Sequence, residues 1–230
     1  MTVTLITGAN KGIGYETARL LIDRGHTVYL GARDRVRGEK AAAQLGGRAV
    51  QLDVTDDESV RRALALITSE QGRLDVLVNN AGILGFDGGA LDGPTALRVF
   101  DTNAVGVVRV TEAALPLLER SPNPTVVMLS SSAGSFWAVT NPERPESGLP
   151  TVLYSASKAA VTMLTVQYAK SHPGIKFNAV EPGTTATDLT AAFGVGRTAR
   201  ESAEVVVRFA TLGPDGPTGN FSDEHGTVAW

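Results

Sequence analysis

Two residues with the chemistry for proton transfer stand four positions apart, in Tyr154-Ser155-Ala156-Ser157-Lys158. On a helix that spacing puts both side chains on one face. An ammonium within a few ångströms of a phenol favours the phenolate, and is expected to lower the tyrosine pKa by about 1–3 units from its usual value of about 10. A tyrosine so poised donates a proton to a carbonyl oxygen as hydride reaches the carbon, or accepts one in the reverse direction. Taken alone, the spacing also suits an ordinary helix surface pair.

A second group of residues is suited to phosphate. The segment Thr7-Gly8-Ala9-Asn10-Lys11-Gly12-Ile13-Gly14 follows an apolar run and opens a stretch with Ala18, Leu21 and Ile22 on one helical face. Glycines let backbone approach a pyrophosphate closely, and a helix start offers N–H groups and a positive dipole end. A tight strand-to-helix turn without a ligand has the same composition. The adenosine ribose is expected about 20 residues beyond the last glycine, where the chain reads Gly31-Ala32-Arg33-Asp34. Arg33 can take a 2′-phosphate bidentately, and Lys11 can add a second positive charge, which favours NADP(H) over NAD(H). Both are also compatible with solvated surface cations, and Asp34 keeps the NAD(H) alternative open.

The elements that must position these residues follow one rhythm. Strands are expected at Val3–Thr7, Thr27–Ala32, Arg48–Leu52, Leu74–Asn79, Thr125–Ser130 and Lys176–Val180, with helical spacing over 12–24, 35–45, 56–71, 96–120, 154–171 and 198–212. Continuous apolar strands alternating with helices imply a doubly wound, Rossmann-type α/β fold: a parallel sheet of about seven strands covered by helices on both faces. Residues 134–153 and 182–197 are rich in Pro and Gly and are expected to be irregular loops at the carboxyl edge of the sheet, where such folds bind ligands. Phe136 and Trp137 in the first are candidates for pocket lining or for core packing.

Composition narrows the class further. The chain has 230 residues, a net charge of −3, 43% hydrophobic residues and no cysteine. One domain over 1–230 is expected. Without Cys there is no disulfide, thiolate nucleophile or Cys-ligated zinc, and His26, His172 and His225 are too scattered to share a metal. The acidic balance argues against a nucleic-acid partner. No apolar run approaches a bilayer span and no leader pattern is apparent, so a cytoplasmic protein without a membrane partner is expected.

Asn79-Asn80-Ala81-Gly82 after the fourth strand and Ser130-Ser131-Ser132 after the fifth join the glycine turn and the Tyr154–Lys158 pair. Four motifs in this order resemble the short-chain dehydrogenase/reductase family in its compact form, over nearly the whole chain. The resemblance implies that Ser131, followed by Ser132-Ala133-Gly134, bonds the substrate oxygen, with Ser130 and Ser132 as rivals for that role. It implies that Lys158 holds the nicotinamide ribose and tunes Tyr154. Asn103, in Asp101-Thr102-Asn103-Ala104, would shape its helix and hold a relay water. Cofactor contacts carried over are Gly8, Asn10, Lys11, Gly12, Ile13 and Gly14 at the turn; Arg33, Asp53 and Val54 around the adenosine; Asn80, Ala81 and Gly82 along the middle; and Tyr154, Lys158, Pro182, Gly183 and Thr187 around the nicotinamide. Asn79 would stabilise the sheet and line the groove. Two departures stand out: the long segment before Tyr154, and Glu181, where the family commonly has a smaller or neutral residue.

The expected function is NADP(H)-dependent interconversion of a small-molecule carbonyl and alcohol, in a homodimer or homotetramer built through helices 96–120 and 154–171. A non-catalytic NADP(H)-sensing regulator and a nucleotide-sugar epimerase or dehydratase are the alternatives. The first usually lacks the Tyr or Lys, and the second usually needs a larger C-terminal region.

Overall fold

Short apolar runs form the strands of the computed structural model, which describes residues 1–85, 91–187 and 196–230. Strands β1 (Val3–Ile6), β2 (Thr27–Ala32), β3 (Arg48–Gln51), β4 (Val76–Asn79), β5 (Thr125–Leu129), β6 (Lys176–Val180) and β7 (Asn220–Ser222) make one sheet in the order β3-β2-β1-β4-β5-β6-β7. Each neighbouring pair is parallel. The chain winds outward from β1 to β3 and then returns to place β4 on the other side of β1. The crevice between the carboxyl ends of β1 and β4 is therefore the topological switch point, where open α/β sheets take their ligands.

Helices cover both faces because both faces of the strands are apolar. Helices α3 (Asp57–Gln71), α5 (Gly106–Leu118) and α7 (Val152–Ser171) bury Val60, Ile67, Val110, Leu118 and Val161 against Leu5, Tyr29, Leu77 and Phe177. On the opposite face α1 (Gly12–Asp23), α2 (Arg35–Leu45) and α8 (Ala199–Ala210) bury Ala18, Leu21, Ala41 and Val206 against Ile6, Leu30, Val78 and Val127. A third small cluster of Ala179, Phe221 and Val228 secures β7.

Three expectations change. The 96–120 stretch is not one helix: α4 (Gly93–Phe100) starts earlier, capped by Asp92 accepting from Thr95 N–H at 2.8 Å, and a π-helical turn over Asp101–Val105 separates it from α5. The 134–153 loop contains α6 (Phe136–Thr140), whose cap Ser135 accepts from Ala138 N–H at 3.0 Å, and a 3₁₀ turn at Pro145–Gly148. Phe136 is 74% exposed and Trp137 44%, so neither packs in the core. Trp137 instead donates its backbone N–H to Trp230 O at 3.0 Å, and the Arg144 guanidinium lies 5.6 Å from its ring centre. In the 182–197 stretch, Thr185 bridges Arg197 in a short parallel pairing, while Gly194 lies outside the described residues.

Candidate active site

A groove of about 820 Å³ runs along the carboxyl ends of the strands, lined by the segments that follow β1 to β6. At its centre the chain leaves β1 into the glycine turn, where Gly8 and Gly12 have φ of 64° and 59°, values that L side chains rarely adopt. The Asn80 side-chain amide straps the turn, donating to Thr7 O at 2.7 Å and Gly8 O at 3.0 Å. The Thr7 hydroxyl accepts from the N–H groups of Asn80 and Ala81 at 2.9 and 3.0 Å. A Cβ on Gly14 would lie 2.5 Å from Asn80 Nδ2 and 2.9 Å from Gly8 O, so only glycine lets α1 start this close to the β4 loop. Lys11, at the N-cap, gives α1 no side-chain cap. The turn thus combines close backbone approach with a helix start free of side-chain capping, the fit a dinucleotide pyrophosphate requires. Gly8, Asn10, Lys11, Gly12 and Ile13 line the groove, and Gly14 lies behind them.

Toward β2 the groove is lined by charged residues of both signs, Arg33, Asp34, Arg37 and Asp53. The Asp34 carboxylate caps α2, accepting from Arg37 N–H at 3.0 Å with the Arg37 guanidinium 3.6 Å away. It still lines the groove beside exposed Arg33, joined by Arg37, a cation that sequence reasoning passed over one helical turn beyond the cap. Asp53 lines the same end, with Oδ1 accepting from Thr55 N–H at 3.0 Å and the Thr55 hydroxyl at 2.7 Å. Val54 is wedged against Gly106, where a Cβ would lie 2.9 Å from Val54 Cγ2. Ala81 and Gly82 line the middle. Asn79 turns away, buried and donating to the Thr111 hydroxyl at 3.0 Å, so it holds the sheet to α5 and leaves the groove to Asn80.

Across the sheet, α7 brings Tyr154 and Lys158 to the groove. Lys158 is buried; its ammonium donates to Leu129 O at 2.7 Å and lies 5.5 Å from the Tyr154 ring centre. Burial pushes it down to about 8, and the carboxylate of Glu181 opposes that fall. The phenol is not depressed as the spacing alone suggests. Burial raises the Tyr154 pKa above its ordinary value, the Glu181 charge raises it further, and only the Ser131 hydroxyl pulls it down. Tyr154 is therefore held as the neutral acid.

The hydroxyls of the three serines differ in their partners, although Ser130 also lines the groove and Ser131 and Ser132 both bear on Glu181. Ser130 turns into the sheet–helix packing, donating to Lys158 O at 3.1 Å and pairing with the Thr162 hydroxyl at 2.6 Å. Ser132 gives its N–H to Glu181, and its hydroxyl bears on Glu146 and Glu181. Ser131 is the serine whose hydroxyl bears on Tyr154. Gly134 permits the approach: a Cβ there would lie 2.6 Å from the backbone of Lys158 and Ala159.

Asn103, in the π-helical turn, is 1% exposed. Its carboxamide accepts from Ile83 N–H at 2.8 Å, and donates to Ile83 O at 2.8 Å and the Ser157 hydroxyl at 2.9 Å. It ties the loop after β4 to α7, one residue from Lys158. After β6, Gly183 has φ 76° and donates to Glu181 Oε1 at 2.6 Å, while Pro182 O accepts from Arg197 Nε at 2.9 Å. Pro182 and Thr187 line the groove; Gly183 sits behind, under the Arg197 guanidinium.

Among the described residues no helix is long and apolar enough to cross a membrane. Residues 2–197 match the family model described as short chain dehydrogenase. The sequence is 31% identical to a (+)-neomenthol dehydrogenase of Capsicum annuum, over 94% of this chain and 94% of the relative. It is 32% identical to a salutaridine reductase of Papaver bracteatum, over 97% and 94%. The structure of salutaridine reductase from Papaver somniferum superimposes with a TM-score of 0.85 at 29% identity, covering 96% of this chain and 99% of that one.

Proposed function

This chain belongs to the short-chain dehydrogenase family of oxidoreductases, and on that premise we propose that it is an NADP(H)-dependent carbonyl reductase or alcohol dehydrogenase with Tyr154 as general acid and base. The observation that carries this is the pairing of Tyr154 and Lys158, with the Ser131 hydroxyl bearing on Tyr154, on one side of a groove whose other side holds the glycine turn and Arg33. The bound dinucleotide supplies hydride at its nicotinamide ring. In the reducing direction Tyr154 gives its proton to the carbonyl oxygen, so hydride and proton together complete the alcohol. Ser131 donates to the same oxygen and holds the carbon at the ring. Lys158 binds the nicotinamide ribose and offsets the negative charge left on Tyr154, and Asn103 supports the proton relay toward solvent.

At the far end, Arg33, with Lys11 beside the phosphates, takes the 2′-phosphate that distinguishes NADP(H); Arg37 on the same wall and the engagement of Asp34 with Arg37 support this preference. Gly8, Asn10, Gly12, Ile13 and Gly14 hold the pyrophosphate, Asp53 and Val54 the adenine, Asn80, Ala81 and Gly82 the adjoining ribose, and Pro182, Gly183 and Thr187 the carboxamide. The protein acts as one cytoplasmic domain on a small carbonyl or alcohol, in a homodimer or homotetramer; exposed Val105 and Met163 on the helices concerned support assembly there. The test follows loss of reduced-nicotinamide absorbance with NADPH and NADH over aldehydes, ketones and quinones, benzaldehyde, cyclohexanone and menadione among them. Turnover with NADPH well above that with NADH is expected. Equal use of NADH overturns the cofactor assignment, and tight NADPH binding without turnover favours the sensing regulator.

A further inference from the structure

Glu181 is 8% exposed and stands between the two turns that frame the proposed chemistry. One carboxylate oxygen receives the N–H of Ser132, just after β5, and the other receives the N–H of Gly183, just after β6, at 2.6 Å. Its backbone N–H is fixed to Ser222 O on β7 at 2.8 Å. Two backbone donors on two different oxygens suit a carboxylate and not its amide, whose NH₂ group would face an N–H. From α7, Tyr154 and Lys158 face it; beyond Ser132 lies Glu146, paired with Arg144 at 2.9 Å, and beyond Gly183 lies Arg197, paired with Glu224 at 2.6 Å.

We propose that Glu181 is a positioning residue for proton transfer: its carboxylate staples the Ser131–Ser132 turn to the Pro182–Gly183 turn and presents a negative charge to Tyr154 and Lys158, setting the site for proton donation to a carbonyl. It rests on the assignment of Tyr154 as proton donor. Reduction needs a protonated phenol and a charged ammonium, and the Glu181 charge favours both protonated forms. Burial raises the pKa of Glu181 itself above the ordinary carboxylate value, opposed by the Ser132 and Gly183 N–H groups and the Ser131 and Ser132 hydroxyls, which stabilise its charged form.

The experiment compares wild type with Glu181→Gln and Glu181→Asp in two readouts. The first is the alkaline limb of carbonyl reduction, using the most active carbonyl of the panel and saturating NADPH. Wild type should lose half its rate near pH 8, where Lys158 titrates. Removing one neighbouring charge should move the limb down by about one unit, which costs about five-fold at pH 8 and only about a tenth of the rate at pH 6. Glu181→Asp, which keeps the charge, should retain the wild-type limb at a lower rate. Equal loss at every pH in Glu181→Gln overturns the proposal, because a purely structural staple behaves that way. The second readout needs no turnover: tyrosinate absorbance of wild type minus that of Tyr154→Phe reports Tyr154 alone. Its midpoint should lie above the ordinary value of about 10 and fall in Glu181→Gln. A wild-type midpoint at or below about 10 overturns the proposal even if the Gln variant does not fold. If Tyr154→Phe keeps its activity, the proton-donor assignment fails by itself.

Discussion

Gly134→Ala should separate the catalytic helix from the serine turn while leaving the glycine turn and Arg33 in place. Gly134 closes the 3₁₀ turn at Ser132–Gly134, and its φ is not in the left-handed region, so its own backbone accepts alanine. The obstacle is tertiary. The new Cβ would stand 2.6 Å from Lys158 C and Ala159 N, and 2.9 Å from Lys158 Cβ, against an ordinary separation of about 3.5 Å. The first two are backbone atoms that cannot rotate away, so α7 and the turn must part by about 1 Å. Overpacking of this kind costs about 1–3 kcal/mol, or a fall in Tm of roughly 2–12 °C at 2–4 °C per kcal/mol for a chain of this size. A 1 Å misplacement of Tyr154 relative to Ser131 should lower kcat about 100-fold. NADPH affinity should fall more modestly, because Lys158 at the ribose is displaced while the glycine turn and Arg33 are not. Thermal melting, kcat and NADPH titration together test this, and a variant with wild-type kcat and Tm would refute the close-approach argument.

Ser131→Ala should lower kcat by about 100-fold or more, through loss of a donor to the developing oxyanion. Ser130→Ala should leave kcat largely intact and cost about 1–2 kcal/mol of stability, since its hydroxyl serves Lys158 O and Thr162. Arg33→Ala should raise KM for NADPH by about 10-fold or more while leaving NADH unchanged, measured as the ratio of the two kcat/KM values. Lys158→Met should abolish turnover yet melt higher than wild type at pH 7. Lowering a buried ammonium from 10.5 to about 8 costs the folded state roughly 3 kcal/mol. That penalty is full below the folded value and disappears as pH rises toward the unfolded value, so the gain in Tm should shrink between pH 8 and 10.5.

Six strands were legible from short runs rich in β-branched and apolar residues, continuous in Val-Tyr-Leu, Val-Leu-Val and Val-Val-Met-Leu, and the switch-point crevice follows from their alternation with helices. The seventh, Asn220–Ser222, has no such run; it exists by pairing with β6 and by the packing of Phe221. The π-helical turn at Asp101–Val105 was hidden because helical periodicity continues across it, and its cause is tertiary: Asn103 must reach Ile83 and Ser157. Helix α6 was masked by nearby prolines, although the Ser135 cap offered a local sign of it. The candidate site divides in the same way. Residues acting through backbone, such as Gly8, Gly12 and Gly14, show themselves by type and order. The protonation of Tyr154 depends on burial and on Glu181, 27 positions further along, and a four-residue spacing reports neither.

The central claim is that Tyr154 carries the proton in an NADPH-dependent carbonyl reduction. The most direct test measures NADPH oxidation with the best carbonyl of the panel, and NADPH binding by fluorescence titration, in wild type and Tyr154→Phe side by side. Turnover that disappears in the variant while NADPH still binds with nearly wild-type affinity is the expected result. Substantial turnover by Tyr154→Phe would contradict the account.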